Sequence, residues 1–255
     1  MLFDSHAHLG DKRFQSDLEE VISRAKENGV TRILNVGYDL EASRTSVQLA
    51  EKYDNIYAAV GIHPHDADSV TQETLAQLRD LAKREKVLAL GEMGLDYYRN
   101  LSPKNVQQQV FSQQINLAKE LKMPIIVHDR DAHQDTIDML KKEGADQVGG
   151  ILHCFSGSWQ MAKQCLELGF YISLAGPVTF KNAHRPQEIA KMVPVNRLLV
   201  ETDCPYLAPE PKRGKRNEPG YVCYIAEKIA EIKHISLAEL AFITYNNTNT
   251  ILGLD

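Results

Sequence analysis

The chain has 255 residues, 43% of them hydrophobic and 25% charged, and 29 Lys+Arg against 34 Asp+Glu leave a formal net charge of −5. This composition excludes a disordered chain, a collagen-like repeat and a disulfide-dense miniprotein, and the length allows a large core. A protein that coats duplex DNA by bulk charge would be basic, so any nucleic-acid contact must come from locally placed positive charge.

Short β-type runs alternate with helical runs from end to end. A short strand at 2–4 precedes an amphipathic helix at 17–28, where Leu18, Val21, Ile22 and Ala25 share a face and Gly29 closes the last turn. Then come a strand at 31–36, a helix at 40–53, a strand at 56–60, a helix at 72–85 and a strand at 87–90. The long helix at 103–121 opens with Pro103 in its first turn, where a missing N–H costs nothing. A strand at 125–127 leads to a helix through Ile137 and Leu140. Strands at 150–152, 171–174 and 197–200 alternate with helices at 159–168 and 187–192, and helices at 221–231 and 237–252 follow.

Continuous apolar runs such as Ile125-Ile126-Val127 and Leu198-Leu199-Val200 suit parallel strands covered on both faces. No G-x-G-x-x-G or Walker A sequence supports a doubly wound nucleotide-binding sheet. Eight βα units therefore predict an α/β chain folded as a (β/α)8 TIM barrel, with residues 1–255 in a single domain. No apolar run approaches the roughly 20 residues of a membrane span, and the first residues carry no signal-peptide pattern, so the expectation is a cytoplasmic protein off the membrane. Cys154, Cys165, Cys204 and Cys223 form no C-x-x-C pair and are expected to be reduced.

The strand ends carry the chemistry. His6 and His8 follow the first strand, His63 and His65 the third and Glu92 the fourth; His128 ends the fifth, His153 the sixth and Asp203 the eighth. In a TIM barrel these positions share the face that holds active sites. Imidazole and carboxylate donors together suit zinc, iron, nickel or manganese. The sharpest local signal is His6-Ala7-His8, because residues i and i+2 of a strand point the same way. Taken singly, Glu92, His128, His153 and Asp203 read equally well as caps, ion-pair partners or polar strand ends; their joint placement carries the metal reading. His63 and His65 lie on the same face and are expected to touch substrate or support ligands. Glu201 either orients a neighbouring ligand or makes a structural charge pair. His133, His184 and His234 lie in or beside helices and read as surface residues.

These segments resemble the TatD family of metal-dependent deoxyribonucleases, within the amidohydrolase superfamily. The matching stretches begin at Asp4 (DSHAHL), Gly61 (GIHPH), Gly91 (GEMGLDY), Pro124 (PIIVH), His153 (HCFSG), Glu201 (ETDCPY) and Arg213 (RGKRNEP), and cover nearly the whole chain in order. The resemblance implies a TIM-barrel hydrolase with two divalent cations (Mg, Mn or Zn). It assigns His6, His8 and Asp203 to the first ion, His128 and His153 to the second, and Glu92 to a bridge between them. It implies a DNA substrate, possible cleavage from a strand end, and no obligate protein partner.

Two divalent cations against two carboxylates leave a formal charge of about +2, a sign that suits a phosphodiester. Asp203 is the candidate general base, with a purely ligating role as the alternative, and Glu92 is the other catalytic carboxylate. Lys181 and Arg213 are candidate substrate contacts together with His63; Lys212, Lys215 and Arg216 complete a basic cluster that either tracks a nucleic-acid backbone or lies as a solvated charged loop. Ser156-Gly157-Ser158 either binds an anion or caps a helix. Tyr97 and Tyr98 either stack on a base or pack. A competing reading keeps the metals but takes a small amide, lactone or aminoacyl ester as substrate. A third, a binding protein with a relict site, is disfavoured by the intact ligand set.

Overall fold

The structure, a computed structural model, describes residues 1–254. Among the described residues, eight parallel strands pair in chain order: β1 (Leu2–Ala7), β2 (Val30–Val36), β3 (Ile56–Val60), β4 (Val87–Asp96), β5 (Ile125–Arg130), β6 (Gly150–Leu152), β7 (Tyr171–Leu174) and β8 (Leu198–Val200). The ring closes just past β8. Ala7 bridges Cys204, Asp203 N donates to His6 O at 2.9 Å, and His8 N donates to Cys204 O at 2.8 Å. The connecting helices are α1 (Leu18–Glu27), α2 (Leu40–Lys52), α3 (Gln72–Ala82), α4 (Lys104–Leu121), α5 (His133–Lys142), α6 (Trp159–Glu167), α7 (His184–Met192), α8 (Val222–Lys233) and α9 (Leu237–Leu252). The fold is the (β/α)8 TIM barrel that the alternation predicts. None of these helices is long and apolar enough to cross a membrane.

Strand side chains alternate between two buried clusters, as a period of two requires. Phe3, Leu34, Ala59, Ala89, Ile126, Ile151, Tyr171 and Leu199 pack with one another inside the ring. Their neighbours Ile33, Ala58, Leu90, Ile125, Leu152, Ile172 and Leu198 pack outward with the helices. Each fully buried Ile, Leu or Phe stabilises by about 1.5–3 kcal/mol, so this double layer fixes the strand register. Helix α9 covers the amino-terminal end. Its Leu252 joins the inner cluster, and Asn247 Nδ2 donates to Val195 O and Leu198 O at 2.8 and 2.9 Å. The opposite end is left for chemistry.

Most elements lie where the pattern places them, with informative differences. The first, fourth and fifth strands run further than their apolar stretches, to Ala7, Asp96 and Arg130, so His6 and Glu92 lie within strands rather than after them, and His128 lies inside the fifth rather than at its end. Pro103 is the N-cap of α4 rather than its first residue. The seventh helix begins at His184 rather than 187.

The long segment after β8 is also more ordered than a solvated loop. Arg216 forms a two-pronged pair with Asp17, at 2.8 and 2.6 Å, and its neighbour Glu218 takes Arg24 Nη2 of α1 at 2.7 Å. The expectation that Arg216 tracks a nucleic-acid backbone therefore needs correcting, because its guanidinium already holds this segment to α1. Replacing Arg216 with Ala should lower stability by about 1 kcal/mol, as for a well-aligned, partly exposed ion pair. Thermal unfolding reads it. An unchanged melting temperature together with weakened DNA binding would return Arg216 to the substrate.

Candidate metal centre

The strand extensions build the site. Gly94 makes the fourth possible: a Cβ there would sit 1.9 Å from His128 O, and its φ is +143°. Only glycine lets β4 pass this close to β5. Glu92 is thereby carried into the mouth of the barrel beside His128. His6 arrives on β1, whose register against β2 is irregular between Asp4 and Ala7.

The donor atoms fall into two groups around one carboxylate. On one side, His6 Nε2 and His8 Nε2 are 3.1 Å apart, and Glu92 Oε2 lies 3.4 and 3.6 Å from them. Asp203 Oδ1 completes this side, 3.4 Å from His8 Nε2 and 3.9 Å from His6 Nε2. On the other side, His128 Nδ1 and His153 Nε2 are 3.2 Å apart, each 2.8 Å from Glu92 Oε1. The two sides touch through the stacked rings of His6 and His153, 4.0 Å between centroids. Donors held about 2.0–2.2 Å from a zinc-sized cation lie roughly 3–3.6 Å from one another, so this spacing fits metal ligation. His6, His8 and Asp203, and separately His63, Glu92 and His128, each keep their donor atoms within 4.8 Å.

Outer hydrogen bonds orient three of the four histidines, while His6 Nδ1 is buried without a partner. His8 Nδ1 bonds Val36 O at 2.9 Å, His153 Nδ1 bonds Glu201 Oε1 at 3.2 Å, and His128 Nε2 faces Asp96 Oδ2 at 3.3 Å. Each of these three rings gives its proton to an outer acceptor and turns a lone pair toward the cluster, as metal-ligating histidines do. Without a cation, several lone pairs would face one another, at a cost in a buried site. His63 differs. Its Nδ1 accepts from His65 N at 3.1 Å, so the proton sits on Nε2, 3.5 Å from Glu92 Oε1. In that tautomer His63 is a donor, not a ligand. Glu201 takes both His153 and Cys154 N, at 3.2 and 2.8 Å, which favours the orienting role over a charge pair.

Asp96 is the residue that sequence reasoning passed over. It is fully buried, accepts from Arg99 N at 2.7 Å, and faces both His65 Nε2 at 2.8 Å and His128. Its only signal was a carboxylate four residues beyond Glu92, which reads as a strand end or turn. A second such residue is Asp4, whose Oδ1 accepts from Thr202 N at 2.8 Å and so joins β1 to the segment after β8. Burial lifts the Asp4 carboxyl to about 8, against hydrogen bonds from Thr202 that favour the ionised form.

Electrostatics agree with a cation-seeking cluster. Burial alone would raise the Glu92 carboxyl, yet the charges of His153 and His63 and the hydrogen bonds of His128 and His153 hold it well below the usual range. Asp203 is held low against burial by the His8 hydrogen bond and the charges of His153 and His6. Conversely, burial would lower His153, but Glu92 and Glu201 hold it well above its ordinary value. Both carboxylates are thus ionised at neutral pH, and protons gather on histidines where no metal takes their place.

A family model described as TatD related DNase matches residues 3–253. The chain belongs to this family. It is 52% identical over 255 residues, the whole of both chains, to the protein named "Uncharacterized metal-dependent hydrolase YabD" from Bacillus subtilis (strain 168). It is 36% identical over 258 residues, 99% of each chain, to "3'-5' ssDNA/RNA exonuclease TatD" from Enterobacter lignolyticus (strain SCF1). Among solved structures, the TatD homolog YJJV from Escherichia coli k12 matches at a TM-score of 0.94 and 30% identity, covering 100% of this chain and 98% of that one. The protein is a TatD-family metal-dependent hydrolase with His, Asp and Glu groups able to bind metal.

The remaining expected contacts of this TatD-family chain are less central. Lys181 is exposed after β7, and Arg213 lies over the Phe180 ring at 4.3 Å, 3.8 Å from Glu210. Neither pairs with a cluster residue. Lys212 lies over the Tyr221 ring at 5.2 Å, and Lys215 is exposed. Ser158 caps α6 by accepting from Met161 N at 3.2 Å. Tyr97 packs, with its hydroxyl donating to Asp135 at 2.7 Å, whereas Tyr98 is exposed. His133 is not a free surface residue, because it is half-buried and paired with Asp129.

Proposed function

We propose that the chain hydrolyses phosphodiester bonds of DNA, single strands in particular, with two divalent cations bridged by Glu92. The observation that carries this is the division of Glu92: Oε2 faces His6 and His8, Oε1 faces His128 and His153. A carboxylate that offers one oxygen to each of two donor groups is what a pair of adjacent cations requires. His6, His8 and Asp203 would hold one ion, His128 and His153 the other. Bound there, such cations lower the pKa of water toward about 7 and offset the charge of a phosphoryl group.

The chain's own residues do the rest. Asp203 reaches the open side of the cluster, with its side chain 14% exposed, and stays ionised, so it can accept the attacking water's proton. His63, with its proton on Nε2, donates toward a phosphoryl oxygen. Lys181 and Arg213 supply positive charge on one stretch of rim: Glu210 N donates to Thr179 Oγ1 at 2.9 Å and ties the two loops together. The relative named a single-stranded DNA/RNA exonuclease supports the substrate class and a start from a strand end.

The test uses metal-free protein reloaded singly with Mg²⁺, Mn²⁺ or Zn²⁺ and offered end-labelled single- and double-stranded DNA beside a lactone and an amide. Chelation should abolish cleavage, and reloading should restore it to an extent that differs between metals. Full activity in chelator, with no metal by elemental analysis, would sink the reading. Brisk lactone or amide hydrolysis without DNA cleavage would replace the substrate.

Metal affinity should also depend on pH in a definite direction. His8, His128 and His153 have folded pKa values raised above 6.5, and a metal needs each of them unprotonated. Affinity should therefore begin to weaken above pH 6.5 as the pH falls, and loading at neutral pH should release protons. Calorimetry in buffers of different ionisation enthalpy reads that release. No proton release would contradict the assignment.

A further inference from the structure

Of the eight large apolar side chains left exposed among the described residues, Met1, Met192, Leu237 and Phe242 lie apart, and the other four gather at the mouth of the barrel. Tyr98, Leu101, Tyr206 and Leu207 belong to two loops, after β4 and after β8. In a ring of eight strands paired in order, β4 and β8 stand opposite each other, so the two loops face across the mouth with the Glu92 cluster between them. Each loop presents a tyrosine with an arginine laid over it. Arg130 lies 3.9 Å from the centre of the Tyr98 ring, and Arg13 lies 4.4 Å from that of Tyr206.

Both pairs are tied to the site. Arg130 follows His128 by two residues on β5 and so shares its face. Among the described residues it has no carboxylate partner within 4.0 Å. The Tyr206 ring lies 6.3 Å from the His8 ring, edge-on. Arg13 is aimed by Asp11, whose two oxygens take its Nε and Nη2 at 2.8 Å each. A tyrosine whose task is packing is at least half-buried with its hydroxyl bonded, as Tyr97 is. Tyr98 is instead 61% exposed and Tyr206 48%.

The geometry points to two base-stacking platforms, Tyr98–Arg130 and Tyr206–Arg13, that grip an unpaired nucleic-acid strand on either side of the phosphate seated at the cluster. This rests on the nuclease reading and extends it to specificity. A flat aromatic face takes any base; Arg130, with no carboxylate partner among the described residues, adds a cation for the neighbouring phosphate, whereas Arg13, already paired with both oxygens of Asp11, holds the Tyr206 ring in place. Bases in a duplex are already stacked and paired, so such platforms select single strands.

Binding can be read apart from catalysis. Fluorescence anisotropy of a labelled oligothymidylate is measured with metal-loaded protein in the Asp203→Asn background, where cutting is slow, and repeated with metal-free protein in chelator. Tyr98→Ala and Tyr206→Ala should each weaken binding roughly 5- to 150-fold, the range for loss of one stacked base, while Tyr→Phe at either position should stay within about 2-fold. An oligonucleotide of the same length with abasic residues should bind wild type and the Ala variants alike. Ala variants that bind oligothymidylate as wild type does, or lose as much for the abasic strand, would overturn the platforms. Platform-dependent binding without DNA cleavage after metal loading would instead keep the platforms and reject the nuclease reading. Cleavage by a wild type whose binding ignores both tyrosines would do the reverse.

Discussion

Replacing Glu92 with Gln is expected to lower turnover at least about 100-fold, the upper end of what outer-sphere changes around a metal cost. The substitution keeps the side chain's volume. It removes the negative charge that faces two histidine groups at once, and it turns one acceptor oxygen into a donor NH2. At 3% exposure there is no room for water to take over either task. Metal content should fall with rate, because the charge that lets two cations sit close together is gone. Steady-state kinetics with elemental analysis of the purified variant measure both. A Glu92→Gln protein with wild-type rate and metal content would show that no bridge exists.

Replacing Asp203 with Asn should lower turnover about 10²- to 10⁴-fold, the span for a lost general base. His6 and His8 remain, and an amide oxygen can still face the ion, so most of the metal should be retained. Because Asp203 is held ionised well into the acid range, the loss should extend across neutral pH rather than along one limb of the profile. The paired measurement of rate and metal content separates its two roles. Slow turnover with full metal assigns the base; parallel loss of both assigns only a ligand.

Much of this was legible in the residues. The alternation of elements specified the barrel, and His6-Ala7-His8 announced itself because i and i+2 of a strand share a face. What the pattern missed has physical causes. A strand read from apolar runs stops at Leu90 or Val127, yet the chain stays extended because the polar residues beyond face a charged mouth rather than a core. Gly94 lies beyond the strand predicted at 87–90, yet it lets β4 pass close to His128. Asp96 could not be chosen over other carboxylates, since its partners His65 and His128 lie 31 and 32 residues away in the chain. Arg216 reads as a free cation in a basic run because Asp17, its partner, is 199 residues earlier. Periodicity reports local faces; it carries no information about which distant charges the closed ring brings together.

If Glu92 holds two cations, one on each oxygen, anomalous diffraction from crystals loaded with Mn²⁺ or Zn²⁺ will show them most directly. Two peaks should flank the carboxylate, one in bonding range of His6 Nε2 and His8 Nε2, the other of His128 Nδ1 and His153 Nε2. A single peak at saturating metal, or two peaks that leave Glu92 untouched, would contradict the bridge.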